Sequence, residues 1–490
     1  MSSAKETSRN VAVLTLGCAR NETDSEELAA RLAKGGWKVT TDGDGADVIM
    51  VNTCGFIEQA KQESIDTLLA AADTGAKVVA TGCLAERYGK DLAENLPEAN
   101  AVLGFDHYPD IAGRLDDIVA GREVASHTPT DRRKLLPISP AKRQDASVVV
   151  PGHQPSDRAE QAKSVDAEGA PQHIQVMRHR LDSGPVANLK IASGCDRRCS
   201  FCAIPSFRGA FVSRLPEEIV AEAQWLAQQG VKELNLVSEN TTSYGKDLGN
   251  PAALEGVLES LAAIDGIEWI RLSYLQPAEL RPDLIVAMAR LDKVVPYFDL
   301  SFQHSSAEVL RRMRRFGSTE TFLALLEQIR NLDAEAGART NVIVGFPGET
   351  EQDVAELEHF LTEARLDAVG VFAYSDEDGT SAVDLDGHVD EDEINARVER
   401  IASLVDNLVT ERASERIGEI VSVLVEQVED DGVDGRAAHQ APEVDGTVAL
   451  VGHVDGLQPG DIVAARVVDS HGVDLIADVD TNAEVHKGSD

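Results

Sequence analysis

At 490 residues, 43% of them hydrophobic, the chain is long enough for about three ordinary domains with sizeable cores. Its 84 acidic against 46 basic side chains give a formal charge of -38. That balance argues against strong general binding of nucleic acid, which needs cations to neutralise phosphates, and it either steers a basic partner or serves solubility alone. No apolar run approaches the about 20 residues that cross a bilayer, and MSSAKETSRN is followed by no signal-like apolar stretch, so a cytoplasmic protein without membrane contact is expected.

The predicted elements begin with an α/β unit over residues 11–121. NVAVLTLG reads as a strand and NETDSEELAARLAKGG as a helix with acids in its first turns and glycines at its end. ADVIMVNTC, IEQAKQESIDTLLAAADTG, AKVVATGC and AVLG repeat the plan. Continuous apolar strands separated by helices imply an open parallel sheet covered on both faces. Residues 122–183 hold six of the 18 prolines and four of the 12 histidines (His127, His153, His173, His179), and no aromatic occurs from Pro109 to Ser200. Such a stretch buries little and reads as a partly disordered linker with solvated histidines.

Residues 184–413 resume the alternation. NLKIAS, ELNLVS, WIRLSY, PYFDLSFQ, RTNVIVGF and AVGVFAYS are six candidate strands separated by helical patterns such as PEEIVAEAQWLAQQG. Six βα units imply a partial (β/α)6 barrel with its functional groups at the strands' carboxyl ends. From residue 414 to 482 the pattern turns all-β (EIVSVLVEQV, TVALV, DIVAARVVDS, VDLIADV), predicting a small OB-like barrel of about five strands.

The six cysteines divide into two threes. Cys195-x3-Cys199-x2-Cys202 lies just after the first barrel strand, whereas Cys18, Cys54 and Cys83 each stand where an apolar strand of the first unit stops. Ligands of open parallel sheets bind beyond the carboxyl ends of the strands, so the fold would gather the second set. Three thiolates can hold a cubane iron–sulfur cluster and leave one iron open for a substrate, where electron-transfer clusters usually take four. Structural zinc would need a fourth ligand, and no histidine lies beside Cys195. For the dispersed set, ordinary buried core cysteine is the competing reading.

The compact triplet after the first strand of such a barrel resembles the radical S-adenosylmethionine superfamily. The resemblance implies a [4Fe–4S] cluster on Cys195, Cys199 and Cys202 whose open iron chelates S-adenosylmethionine and whose electron releases a deoxyadenosyl radical. By the same resemblance Phe201 stands beside the cluster, and Ser238-Glu239-Asn240 ends the second strand where the family contacts the cofactor's amino group. Glu239 occupies a position at which a glutamine is expected. Gly345, in NVIVGFPGE, could let backbone approach a ligand closely. Arg208 and Arg214, in FRGAFVSR, could pair with a carboxylate of cofactor or substrate.

The order of three units is similar to that of the methylthiotransferases. It implies a second [4Fe–4S] cluster on Cys18, Cys54 and Cys83 that delivers sulfur, a methyl group from a second S-adenosylmethionine, a terminal TRAM barrel, and an electron donor such as flavodoxin or ferredoxin. Gly-Cys-Ala-Arg-Asn at Cys18, Cys202-Ala-Ile-Pro-Ser-Phe-Arg-Gly, Gln303-His304-Ser-Ser and Tyr374-Ser-Asp-Glu-Asp resemble the branch acting on one aspartate of small-subunit ribosomal protein twelve. The other branch acts on tRNA adenosines, and an iron–sulfur scaffold or an RNA-binding protein with a decayed site is the non-enzyme alternative. Asp376, Glu377 and Asp378 would repel phosphates and attract a lysine-rich protein. The segment from Ser414 to Asp490 has 17 acids against four Lys and Arg and no aromatic, unlike an RNA-stacking groove.

Overall fold

The computed structural model describes residues 9–134, 177–430, 432–442 and 445–479. In the first unit, β1 (Asn10–Thr15), β2 (Lys38–Thr40), β3 (Val48–Thr53), β4 (Lys77–Thr81) and β5 (Ala101–Val102) form an all-parallel sheet in the order β2-β1-β3-β4-β5. Every residue of β3 is buried, as a central strand covered on both faces must be. Strand alternation sends Val48 and Met50 to the face with Leu28 of α1 (Ala19–Lys34), and Ile49 and Val51 to the face with Leu68 of α2 (Glu58–Asp73) and Leu92 of α3 (Gly82–Asn95).

The second unit comprises β6 (Val186–Lys190), a short antiparallel pair β7 (Ala192–Ser193) and β8 (Val212–Ser213), then β9 (Glu233–Val237), β10 (Trp269–Leu272), β11 (Tyr297–Asp299), β12 (Gly337–Val344) and β13 (Ala368–Ala373). The parallel trios β6-β9-β10 and β11-β12-β13 are joined by the bridges Ile270↔Val294 and Leu275↔Leu300, giving an open arc of six parallel strands. Of PYFDLSFQ only Tyr297–Asp299 forms strand, because the chain leaves the sheet after the Leu300 bridge and returns at Gln303, which has φ 73° and one bridge to Val342. The 25-residue helix Glu391–Glu415 closes this unit and buries Ile401, Val405 and Val409.

Five strands complete the terminal unit: β14 (Ile420–Glu429), β15 (Gly432–Ala437), β16 (Val448–Gly452), β17 (Ile462–His471) and β18 (Asp474–Val479), closed in the order β14-β15-β16-β18-β17. The second of them, β15, is GVDGRA, a segment with little apolar signal that forms because it pairs with both β14 and β16. This barrel docks on the amino ends of the arc. Glu233, at the start of β9, pairs with Arg271 at 2.6 Å and with Arg436 of the terminal barrel, and Arg339 pairs with Asp445 at 2.9 Å.

Of the expected linker, residues 135–176, with His153 and His173, lie outside the described residues. At the described ends His179 is exposed as expected, but His127 is buried 3.4 Å from Glu86, Arg132 donates to Glu86 at 2.7 Å, and buried Arg178 bridges Glu26 and Glu222. Among the described residues no helix is long and apolar enough to cross a membrane.

Candidate active site

Cys18 caps the amino end of α1, Cys54 directly follows β3, and Cys83 is the second residue of α3. Parallel pairing of β1 with β3 and β3 with β4 therefore brings the three turns side by side. The turns nest tightly: Gly17 has φ +91°, and a Cβ there would lie 2.7 Å from Cys54 Cβ and 2.8 Å from its Sγ. Asn21 ties them together, its amide donating to Leu16 O at 2.9 Å and Thr53 O at 3.1 Å while its Oδ1 faces Cys83 Sγ at 3.6 Å.

The compact triplet sits in the loop between β7 and β8, fastened by Cys195 N to Gly209 O at 3.1 Å and Cys202 N to Cys199 O at 3.2 Å. Arg315 approaches Cys199 Sγ at 3.6 Å and also donates to Gln276 and Ser301 O. Burial pushes the Cys83 and Cys202 thiols up to about 12 and holds Cys195 higher still. At Cys18 burial also pushes upward, but Arg20 and Arg208 outweigh it and the thiol lies below its usual range.

The two triplets meet across the boundary between the first and second units. Arg208, six residues after Cys202, ends the short helix Ile204–Arg208 and crosses to Cys83 Sγ at 3.2 Å, Asn21 Oδ1 at 3.0 Å and Asp24 at 3.0 Å. Arg20, two residues after Cys18, crosses the other way to within 3.5 Å of Glu239 Oε1. Glu239 has a side chain 1% exposed, and neither carboxylate oxygen has a hydrogen-bond partner. Lys190 of β6 is buried between Asp24 and Glu27, each at 2.8 Å, and seals the same boundary. Among the described residues no three His, Cys, Asp or Glu side chains converge as ligands of a single ion would. Two sets of three unpaired thiols, with guanidinium groups aimed at their sulfurs and a buried carboxylate lacking donors, do fit iron–sulfur clusters and a ligand bearing N–H groups.

The other expected site residues fare differently. Phe201 is half-buried and packs on the main core beside the cysteine loop. Asn240 is consumed by its own turn, donating to Ser243 and Glu279 and accepting from Thr242, so it is a loop brace. Arg214 pairs with Glu222 at 2.7 Å and donates to Lys190 O at 2.7 Å. The Gly345 N–H goes to Glu349, and a Cβ there would lie 2.6 Å from Ile394. Glu377 is buried and latched to Lys61 at 2.9 Å and Arg87 at 3.2 Å of the first unit, which leaves Asp376 and Asp378 exposed. The acidic terminal barrel sits at the amino ends of the strands, so its charge does not line the ground between the triplets.

Residues 10–104 match the family described as Uncharacterized protein family UPF0004, 189–361 the Radical SAM superfamily, and 417–479 the TRAM domain. The chain is 62% identical over 483 residues to the ribosomal protein uS12 methylthiotransferase RimO of Salinispora tropica, covering 96% of this chain and 95% of that protein. The proteins of that name from Saccharopolyspora erythraea and Streptomyces coelicolor are 61% and 58% identical, each with 96–97% of both chains covered. The chain belongs to the RimO family. Among solved structures the fold resembles the radical S-adenosylmethionine methyltransferase TsrM of Kitasatospora setae, with a TM-score of 0.51 and 16% identity over 75% of each chain.

Within this RimO-family chain, sequence reasoning passed over Arg20, Tyr274, Arg315 and the Lys61–Arg87–Glu377 latch. Arg20 stands inside the Gly-Cys-Ala-Arg-Asn motif, so its position was legible and its reach was not. Tyr274, at the end of WIRLSY, lies under the Arg20 guanidinium with 5.1 Å from carbon to ring centroid. Its φ of 62° is unusual for an aromatic residue, and such backbone strain concentrates at functional sites.

Proposed function

We propose that this chain replaces a hydrogen on the β-carbon of an aspartate in ribosomal protein uS12 with a methylthio group. The observation that carries the reading is the reach of Arg208 from the compact cysteine loop to Cys83 of the dispersed set, which brings the two triplets to one junction. Cys195, Cys199 and Cys202 would hold one [4Fe–4S] cluster, with Glu239 near its bound S-adenosylmethionine, and Cys18, Cys54 and Cys83 the other. When bound, these groups supply a deoxyadenosyl radical at the first site, and sulfur together with a methyl group from a second S-adenosylmethionine at the other.

The protein's own share is placement and shielding. Arg208, Lys190, Arg178 and Glu377 clamp the first unit onto the barrel and keep water from the junction, where a radical would otherwise be quenched. Arg315 donates toward Cys199 Sγ, and Arg208 donates toward Cys83 Sγ and opposes the upward push of burial there. Exposed Asp376 and Asp378, with the field of the whole acidic chain, favour approach of a basic polypeptide over RNA. A cytoplasmic setting and a flavodoxin- or ferredoxin-type electron donor complete the proposal.

Mass spectrometry of ribosomes from cells with and without this gene tests it. The expected result is loss, from uS12 alone, of the mass of one methylthio group replacing hydrogen on aspartate. Unchanged uS12 together with the disappearance of a methylthiolated tRNA adenosine would overturn it.

A further inference from the structure

Resting on that reading, a question of recognition remains: what distinguishes an aspartate from the other side chains of a basic polypeptide at the junction. The bound carboxylate needs a cation with unspent donors that is neither sealed in nor neutralised. Three arginines line this ground. Arg208 keeps a buried Nη1 without a partner, but it is only 2% exposed and its Nη2 already serves Asn21, Asp24 and Cys83. Arg315 is engaged by Gln276 and Ser301 O. Arg20 differs. Its side chain is 13% exposed, its buried Nε has no hydrogen-bond partner, and its terminal nitrogens stand no closer than 3.5 Å to Glu239 and 3.6 Å to Cys18 Sγ. A guanidinium has five N–H donors in a planar fork, so most of the capacity of Arg20 is unspent.

The guanidinium is also held in place before any ligand arrives. Tyr274 stacks against it, and Tyr274 itself is fixed by its N–H to Asp299 Oδ2 at 2.8 Å and its carbonyl to Thr241 N at 3.1 Å. Those bonds hold the residue at positive φ, where an aromatic side chain would not settle unaided. Arg20 and Arg208 both approach Glu239, at 3.5 and 3.6 Å, but Arg208 also has Asp24 at 3.0 Å, whereas Glu239 is the one carboxylate paired with Arg20 among the described residues. We infer that Arg20, stacked on Tyr274, receives the side-chain carboxylate of the target aspartate and so presents its β-carbon to the ground between the two cysteine triplets. It is a specificity-determining residue: a planar carboxylate takes a bidentate pair from the fork, and an amide cannot.

Reconstituted wild-type enzyme and the variants Arg20→Gln and Arg20→Lys are assayed on uS12 carrying either the target aspartate or asparagine in its place. Binding of labelled uS12 peptides of both kinds is measured alongside, without turnover, by fluorescence anisotropy. Wild type is expected to favour the aspartate form by about 10- to 100-fold, the range for a hydrogen-bonded charged group. Arg20→Gln should bring that ratio near one in both binding and kcat/KM. Arg20→Lys, which keeps the charge but loses the fork, should fall between, and it carries the comparison should the glutamine variant fold poorly. Equal handling of the two substrates by wild type, or an unchanged ratio in Arg20→Gln, would overturn the assignment of Arg20 alone. Absence of methylthiolated uS12 with wild-type enzyme would overturn the function reading together with it.

Discussion

Cys195, Cys199 and Cys202 occupy a single loop between two short strands, whereas Cys18, Cys54 and Cys83 come from three strand ends of one sheet. The compact set needs little beyond local chain geometry, held by backbone bonds such as Cys195 N to Gly209 O. The dispersed set exists only if β1, β3 and β4 pair in register and if the turns between them nest. It is also finished from outside, by Arg208 delivered from the other unit. A site assembled by sheet topology and a domain interface should be the more fragile of the two, and each of the following experiments presses on that difference.

The largest effect comes from removing one set of thiols at a time. Cys195/Cys199/Cys202→Ala should halve the iron bound on anaerobic reconstitution and abolish cleavage of S-adenosylmethionine. Cys18/Cys54/Cys83→Ala should halve the iron, retain cleavage and lose methylthiolation. Iron analysis with a cleavage assay decides the matter, and loss of all iron from either variant would mean a single shared site.

A smaller perturbation sharpens the comparison without touching a thiol. Gly17→Ala places a Cβ at φ +91° and 2.7 Å from Cys54 Cβ, so the strain, about 1–3 kcal/mol, falls on the dispersed set. Iron content should drop toward one cluster while the spectrum of the compact site persists. Full retention of both clusters would show that the nested turns tolerate rearrangement.

The smallest effect is a pH dependence at the interface. Burial raises Glu222, but Arg214 and Arg178 outweigh it, so its folded carboxyl titrates below the ordinary 4.5. A lowered folded value means stability that is fully present above the unfolded value and is lost as the pH falls through the folded one. Thermal unfolding from about pH 7 to 3 should therefore show Glu222→Gln less stable than wild type at neutrality, with the gap closing only below the ordinary glutamate range. A gap independent of pH would assign the loss to packing.

The surroundings of the expected site residues share a physical cause. Arg214, Gly345 and Glu377 are residue types that suit a ligand, and each lies against a neighbour distant in sequence: Glu222 of a helix, Ile394 of the long closing helix, and Lys61 and Arg87 of another unit. Arg208 shows the reverse, since its partner proved to be a cysteine of the other set. β15 escaped notice because GVDGRA has almost no apolar alternation and owes its conformation to its two partners.

By itself the sequence determined the α/β alternation, the six-strand arc, the closed terminal barrel and the partition of cysteines into two threes, because hydrophobic period and residue spacing are local quantities. It carried the family resemblance for the same reason, in short motifs around the cysteines. Only the tertiary structure decided that the two triplets face each other, that Arg20 and Arg208 cross between them, and that the acidic barrel sits at the far end of the strands. Those are relations between surfaces of separately folded units. They depend on buried charge pairs whose partners lie tens to hundreds of positions apart, and no periodicity in the chain encodes them.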